Sequence, residues 1–183
     1  MENLLNSIMS QFDDNSLNAI GSKANASPTQ TKSALASAVP ILMNALAKNS
    51  STQEGASSLQ QALSKDHDGS LIDNLGGFLN NPASANGAGI LKHVLGNKQQ
   101  NVAKYISNDA GISGESAGKI LEIAAPIVMG FLGKKNAQSS EGGISSILNS
   151  FLNKEKSESP KSQNVISQLL DSDNDGNVMD DIT

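Results

Sequence analysis

Asp171, Asp173 and Asp175 alternate with Ser172 and Asn174, Gly176 follows, and Asp180 and Asp181 come shortly after. Carboxylates at the first, third and fifth positions of a loop, with glycine at the sixth, are how a chain wraps a calcium ion. Calcium is a hard cation that takes six to eight oxygen ligands. Here Asp171, Asp173 and Asp175 would each supply a carboxylate oxygen, and Asn177 a carbonyl. Gly176 would permit the sharp turn, and Val178 stands where EF-hand-like loops carry an apolar residue. Asp180 or Asp181 would close the shell. One position departs from the EF-hand pattern: the bidentate glutamate at position 12 is replaced by Ile182. The expectation is a shortened DxDxDG loop that binds Ca2+ weakly, with a dissociation constant of about 10⁻⁴ M or higher.

A second acidic loop lies upstream, Asp66-His67-Asp68-Gly69-Ser70-Leu71-Ile72-Asp73. At an offset of 107 residues, Asp66, Asp68, Gly69 and Asp73 fall on Asp173, Asp175, Gly176 and Asp180. Ser64 and Asn74 stand where the tail has Asp171 and Asp181, so the upstream set of Asp66, Asp68, Ser70 and Asp73 is the weaker metal candidate. A turn and a helix cap account for it better. Asp-Gly favours a turn, and Ser70-x-x-Asp73 has the form of a capping box. In a metal-independent protein the tail would be read the same way, with Asn177 as an N-cap ahead of Asp180 and Asp181. His67 is expected to face solvent and His93 to lie on a helix. The two are 26 residues apart, with no zinc-type spacing between them.

Charge is distributed unevenly. The segment from Asp171 onward holds five of the 18 acidic residues and no lysine, so the remaining 13 acids balance the 13 basic residues. The net charge of −5 therefore resides in the tail loop, where like charges repel unless a cation neutralises them. All 13 basic residues are lysines. Bidentate recognition of phosphate and guanine relies on arginine, and no basic cluster is present, so nucleic acid is not an expected partner. With no cysteine there is no disulfide, thiolate nucleophile or zinc-thiolate site.

Catalytic signatures are absent. No Walker loop, GxSxG elbow or HExxH is found. The glycine-rich stretches at 75–78 and 86–89 do not follow strands. No catalytic residue is therefore assigned, and the chain is expected not to be an enzyme. The N-terminal segment lacks the basic and apolar regions of a secretory signal. The most apolar run, Ile123 to Gly133, is about half of what a bilayer span needs. A soluble, cytoplasmic protein is expected, with export left open.

The elements that must position these loops are helices. Hydrophobic residues make up 37% of the 183-residue chain and aromatics 3%, so burial falls to Leu, Ile, Val and Ala in closely packed helices. Leu35, Ala38, Val39, Leu42 and Leu46 form one helical stripe, and Leu121, Ala124, Ala125, Val128 and Leu132 form another. The two stripes superpose at an offset of 86 residues, which also carries Ser27, Pro40, Met43 and Lys48 onto Ser113, Pro126, Met129 and Lys134. Such self-similarity reads as a tandem duplication. Ser27-Pro28 marks the start of the first long helix. Pro40 and Pro126 are expected to kink each long helix or break it in two. Residues 49–58 read as a polar connector, and Leu71 to Leu79 as a helix after the acidic loop.

The organisation that follows is a duplicated helical region over 1–135, with halves of about 1–80 and 86–135. A Ser/Asn/Lys-rich linker over 136–163 contains a short helix at 144–152, and residues 164–183 form a short helix plus the DxDxDG loop. No strand alternation occurs, so the fold class is all-α, a multihelical bundle of two duplicated units with acidic loops.

The block Leu63 to Leu79 that contains DHDGSLID, the stretch Ala38-Val-Pro-Ile-Leu-Met43 and the segment Leu170 to Gly176 together resemble a bacterial family. It is the uncharacterised family known as domain of unknown function 937, which is related to YidB-like proteins. The resemblance covers roughly residues 1–135, with the tail loop as an accompanying element. It implies an all-helical bacterial protein and supplies no catalytic residues. The resulting expectation is a helical structural or interaction protein with a protein partner and a weak calcium loop. The alternative is a metal-independent scaffold whose acidic loops are turns and caps.

Overall fold

The computed structural model of the protein describes residues 3–139 and 142–170. Every regular element among them is helical, as the all-α reading requires. In chain order these are α1 (Leu4–Met9), α2 (Asp14–Ala24), α3 (Pro28–Asn49), α4 (Gln53–Lys65), α5 (Ser70–Asp73) and α6 (Leu75–Asn80). Then come α7 (Gly87–Leu95), α8 (Gln99–Ala110), α9 (Gly114–Gln138), α10 (Gly143–Glu158) and α11 (Pro160–Leu170). Single 3₁₀ turns occupy Pro82–Ala85 and Gly96–Lys98.

Local chemistry sets the boundaries of the two long helices. Ser27 Oγ accepts the Gln30 N–H at 3.2 Å, and Gln30 Oε1 accepts the Ser27 N–H at 3.0 Å. This reciprocal pair satisfies two backbone donors at the start of α3, and Pro28 occupies the first turn, where its missing N–H costs nothing. At the start of α9, Ser113 Oγ accepts the Ser116 N–H at 3.0 Å. The preceding helices also end alike. α2 stops at Asn25 (φ 56°) and α8 at Gly111 (φ 65°), both left-handed. The hairpins α2–α3 and α8–α9 thus share caps and turns at the offset of 86 residues.

Neither proline breaks its helix: α3 and α9 each continue through Pro40 and Pro126. Proline removes the donor for the carbonyl four residues earlier. For Pro126 that carbonyl belongs to Glu122, and Gly87 at the start of α7 packs directly against it. A Cβ on Gly87 would stand 1.8 Å from the Glu122 oxygen. Gly87 thus sits against the carbonyl that Pro126 leaves without its helical donor, an approach that only glycine permits.

The hairpins interlock. α2 contacts both α3 and α9, α8 contacts both α9 and α3, and the two long helices cross each other. α1 lies on α3, and α7, at the matching position, lies on α9. The helix after each long helix crosses over, so α4 packs on α9 and α10 on α3. Matched residues share the core: Leu35 and Leu121, Ala38 and Ala124, Ile41 and Ile127, and Ile20 and Ile106 are all fully buried. A fully buried Leu or Ile contributes about 1.5–3 kcal/mol. One matched pair differs in kind. Phe12 is buried ahead of α2, whereas Lys98 is buried ahead of α8 and its ammonium donates to the Leu170 carbonyl. The lysine stem fills the ring's place, and its charge meets the carbonyl end of α11.

Three sequence expectations change. The polar connector over 49–58 shrinks, because Thr52 caps Gly55 N–H at 3.1 Å and α4 starts at Gln53. The helix after the acidic loop divides at Asn74 into α5 and α6. The expected linker over 136–163 is largely helix: α9 runs to Gln138, and α10 spans Gly143–Glu158 rather than 144–152. Ile144, Leu148, Phe151 and Glu155 recur on one buried stripe of α10, which packs on α3 and α4. The solvent face supplies most of its residues, so composition alone resembles a linker. Burial raises the Glu155 carboxyl above the usual range, with Glu158 adding to the effect and Lys154 opposing it. By length and composition α9 could also cross a membrane, and 83% of its most apolar window is buried inside the protein.

Candidate functional site

The upstream acidic loop is described in full, and it is a clasp on α9. Asp66 ends α4, its N–H donating to the Ala62 carbonyl at 3.0 Å. Asp68 Oδ1 accepts the Ser70 N–H at 3.0 Å. That bond, with a second from the Ser70 hydroxyl, holds the Asp68 carboxyl below the usual carboxylate range. Gly69 turns the chain at φ 100° and is the N-cap of α5. The cap therefore comes from Asp68, two residues before the Ser70 of the expected capping box. Asp73 forms an ion pair with Lys134 of α9.

Backbone approach makes the clasp tight. A Cβ on Gly133 would stand 1.6 Å from the His67 carbonyl oxygen. One on Gly69 would stand 2.7 Å from Lys134 Cβ. One turn earlier, Gly130 faces Leu71 and Ile72 at ordinary contact distance. His67 is half-buried here rather than turned to solvent. Burial pushes its pKa down, against the opposing charges of Asp66 and Asp68. Asp66, Asp68, Ser70 and Asp73 are exposed. Among the described residues, no group of three or more His, Asp or Glu side chains is placed to hold a metal ion.

The tail candidates Asp171, Asp173, Asp175, Asn177, Asp180 and Asp181 lie outside the described residues. Leu170, the last residue of α11, lines a cavity of about 310 Å³ together with Lys48, His93 and Lys98.

A larger groove, about 510 Å³, opens between α4 and α7. Leu46, Leu59, Ile90, Val94 and Met129 form its apolar walls, and Glu54, His67 and His93 are its titratable residues. Its size is within the range of small-ligand sites and of grooves that take a few side chains of a partner helix. Sequence reading missed this groove, because its walls come from four helices whose lining residues are spread from Leu46 to Met129. It also missed the roles of Gly133 and Lys134, although the match of Lys48 to Lys134 was already visible as a signal.

Comparison with known proteins supplies one match. A family described as a bacterial protein of unknown function (DUF937) matches residues 6–135. No curated protein and no solved structure matches the chain.

Proposed function

The chain belongs to this bacterial family of unknown function (DUF937), and on that premise we propose that it is a non-enzymatic helical interaction protein. The α4–α7 groove is its docking surface, and an apolar helix of a partner protein its occupant. The observation that carries this reading is the groove itself, whose lining surface is mainly apolar. Its three titratable residues, Glu54, His67 and His93, form no nucleophile–base pair with an orienting group, the arrangement that covalent nucleophilic catalysis uses. The interlocked α2–α3 and α8–α9 hairpins further support a tandem duplication, which would build the scaffold from one repeated unit.

A photo-crosslinking residue at exposed Ser58, on the rim, tests the proposal. In cells it is expected to give one discrete protein adduct, and Ala62→Trp, which fills the groove, is expected to abolish it. An adduct that survives Ala62→Trp, or no adduct, counts against the groove as the docking surface.

The second component of the reading is weak calcium binding by Asp171, Asp173, Asp175 and Asn177, closed by Asp180 or Asp181. The pattern of alternating aspartates with five carboxylates and no lysine supports it. Calorimetric titration of metal-stripped protein is expected to show saturable Ca2+ binding with a dissociation constant of about 10⁻⁴ M or higher. The signal should vanish in Asp173→Ala/Asp175→Ala. Absence of heat up to millimolar Ca2+ would favour the metal-independent scaffold, in which these residues serve as turns and caps.

A further inference from the structure

The two matched hairpins treat one helix face differently, and the difference leaves a polar cleft. Asn101, Lys104, Tyr105 and Asn108 recur at helical spacing on one face of α8, and Asn97 stands one turn earlier. With Gln168 of α11 they line a cleft of about 460 Å³, within the size range of small-ligand sites. It shares no lining residue with the groove between α4 and α7. We propose that this cleft binds a saccharide. The sugar hydroxyls meet the carboxamides of Asn97, Asn101, Asn108 and Gln168, and an acidic substituent meets Lys104.

The matched face of α2 satisfies itself. At the offset of 86 residues, Asn97, Lys104, Tyr105 and Asn108 correspond to Gln11, Asn18, Ala19 and Ser22. Gln11 Nε2 donates to the Ser7 carbonyl at 3.2 Å, and Asn18 Nδ2 to the Asp14 carbonyl at 2.8 Å. Ser22 Oγ donates to the Asn18 carbonyl at 2.8 Å. Such bonds to the preceding turn spend these groups on their own helix. On α8 the side chains of Asn97, Asn101 and Asn108 have no hydrogen-bond partner among the described residues, and neither has Gln168. Their donors and acceptors are left for a ligand, and the Tyr105 ring takes the place of the Ala19 methyl.

The lining selects the class of ligand. Leu169 is its one aliphatic residue, so an apolar compound buries little surface there. The described residues contain no strand, so an extended peptide has no sheet edge to join. With no arginine in the chain and one aromatic ring in the cleft, a nucleotide lacks its usual phosphate fork and base sandwich. A saccharide fits what remains. Each carboxamide donates and accepts at once, as neighbouring ring hydroxyls require. The partly buried Tyr105 ring offers an apolar face to sugar C–H groups, and its hydroxyl is a further donor. Burial raises the Tyr105 pKa, with Asp109 adding to the effect, so that hydroxyl stays protonated. No carboxylate lines the cleft, and an acidic substituent can approach Lys104 without a like charge beside it. Lys98 takes no part, because its ammonium already donates to the Leu170 carbonyl.

Amide NMR of the full-length protein, titrated with sodium glucuronate, glucose and sodium acetate at matched ionic strength, tests the proposal. Glucuronate is expected to shift the Asn97, Asn101 and Asn108 side-chain signals saturably, with a dissociation constant on the order of 1 mM. Glucose should bind about threefold more weakly, the worth of one exposed ion pair, and Lys104→Ala should erase that difference. Asn101→Ala, at an exposed position, should weaken glucuronate binding about tenfold and leave the rest of the spectrum in place. The proposal is overturned by the absence of a saturable shift with glucuronate, by equal shifts with acetate, or by shifts that Asn101→Ala leaves unchanged. Glucose binding as tightly as glucuronate overturns the place given to Lys104.

Discussion

Replacing Gly133 by alanine is expected to destabilise the protein by about 3 kcal/mol, the upper part of the range for overpacked sites. Gly130→Ala, one turn earlier on α9, is expected to be neutral or to stabilise by up to about 1 kcal/mol. Both substitutions raise helix propensity by the same amount, so the difference isolates packing. At Gly133 the new Cβ meets the His67 carbonyl oxygen at 1.6 Å and the Leu63 carbonyl oxygen at 3.3 Å. Both are backbone atoms, and His67 is fixed by its N–H bond to Ala62 at 3.1 Å. Relief therefore requires the whole 66–69 turn to lift, which also strains the Asp73–Lys134 pair. At Gly130 the nearest atoms are Ile72 Cγ1 and Leu71 Cβ, at 3.5 and 3.6 Å, already at comfortable contact. Urea unfolding of the two variants gives the comparison directly. Equal effects would mean that the acidic loop does not rest on α9 as a rigid clasp.

The second large effect concerns the two long helices. Leu35→Ala and Leu121→Ala are each expected to cost 2–5 kcal/mol, from lost transfer free energy plus the cavity left behind. Both side chains are fully buried. They occupy matched positions on α3 and α9, which pack against each other and against both α2 and α8. The two costs should therefore agree within about 1 kcal/mol, inside the usual scatter between sites. Either loss is a large fraction of the ~5–15 kcal/mol that holds a domain of ordinary size. Thermal or urea unfolding followed by helical signal measures both. A tolerant Leu35 beside an intolerant Leu121 would show that α9 alone organises the core and that α3 is an appendage.

Much of this architecture was legible in the chain. The stripe from Leu35 to Leu46 and its match from Leu121 to Leu132 located the central helices, because helical periodicity is a local property. Ser27 and Ser113 marked their starts, because a cap needs only the side chain and the next few amides. α10 was underestimated for the opposite reason: its docking stripe of Ile144, Leu148 and Phe151 is diluted by the serines, the lysines and Glu158 of its other faces. The acidic loop near Asp66 shows where sequence alone is ambiguous. Alternating aspartates before a glycine suit a cation and a cap equally well, and the choice depends on what lies across the loop. There it is Lys134, 61 residues beyond Asp73.

The sequence by itself determined the helical class, the placement of the long helices, the two offsets and the concentration of negative charge in the tail. Each follows from periodicity, capping or charge counted along the chain. Only the tertiary structure decided that α4 and α10 cross to the opposite long helix, that Gly87 sits on the Glu122 carbonyl left by Pro126, and that Gly133 seats the His67 carbonyl. It also decided that α4 and α7 leave an apolar groove between them. These are contacts between residues far apart in the chain, set by the close packing of whole helices, and no local pattern encodes the distance between two backbones.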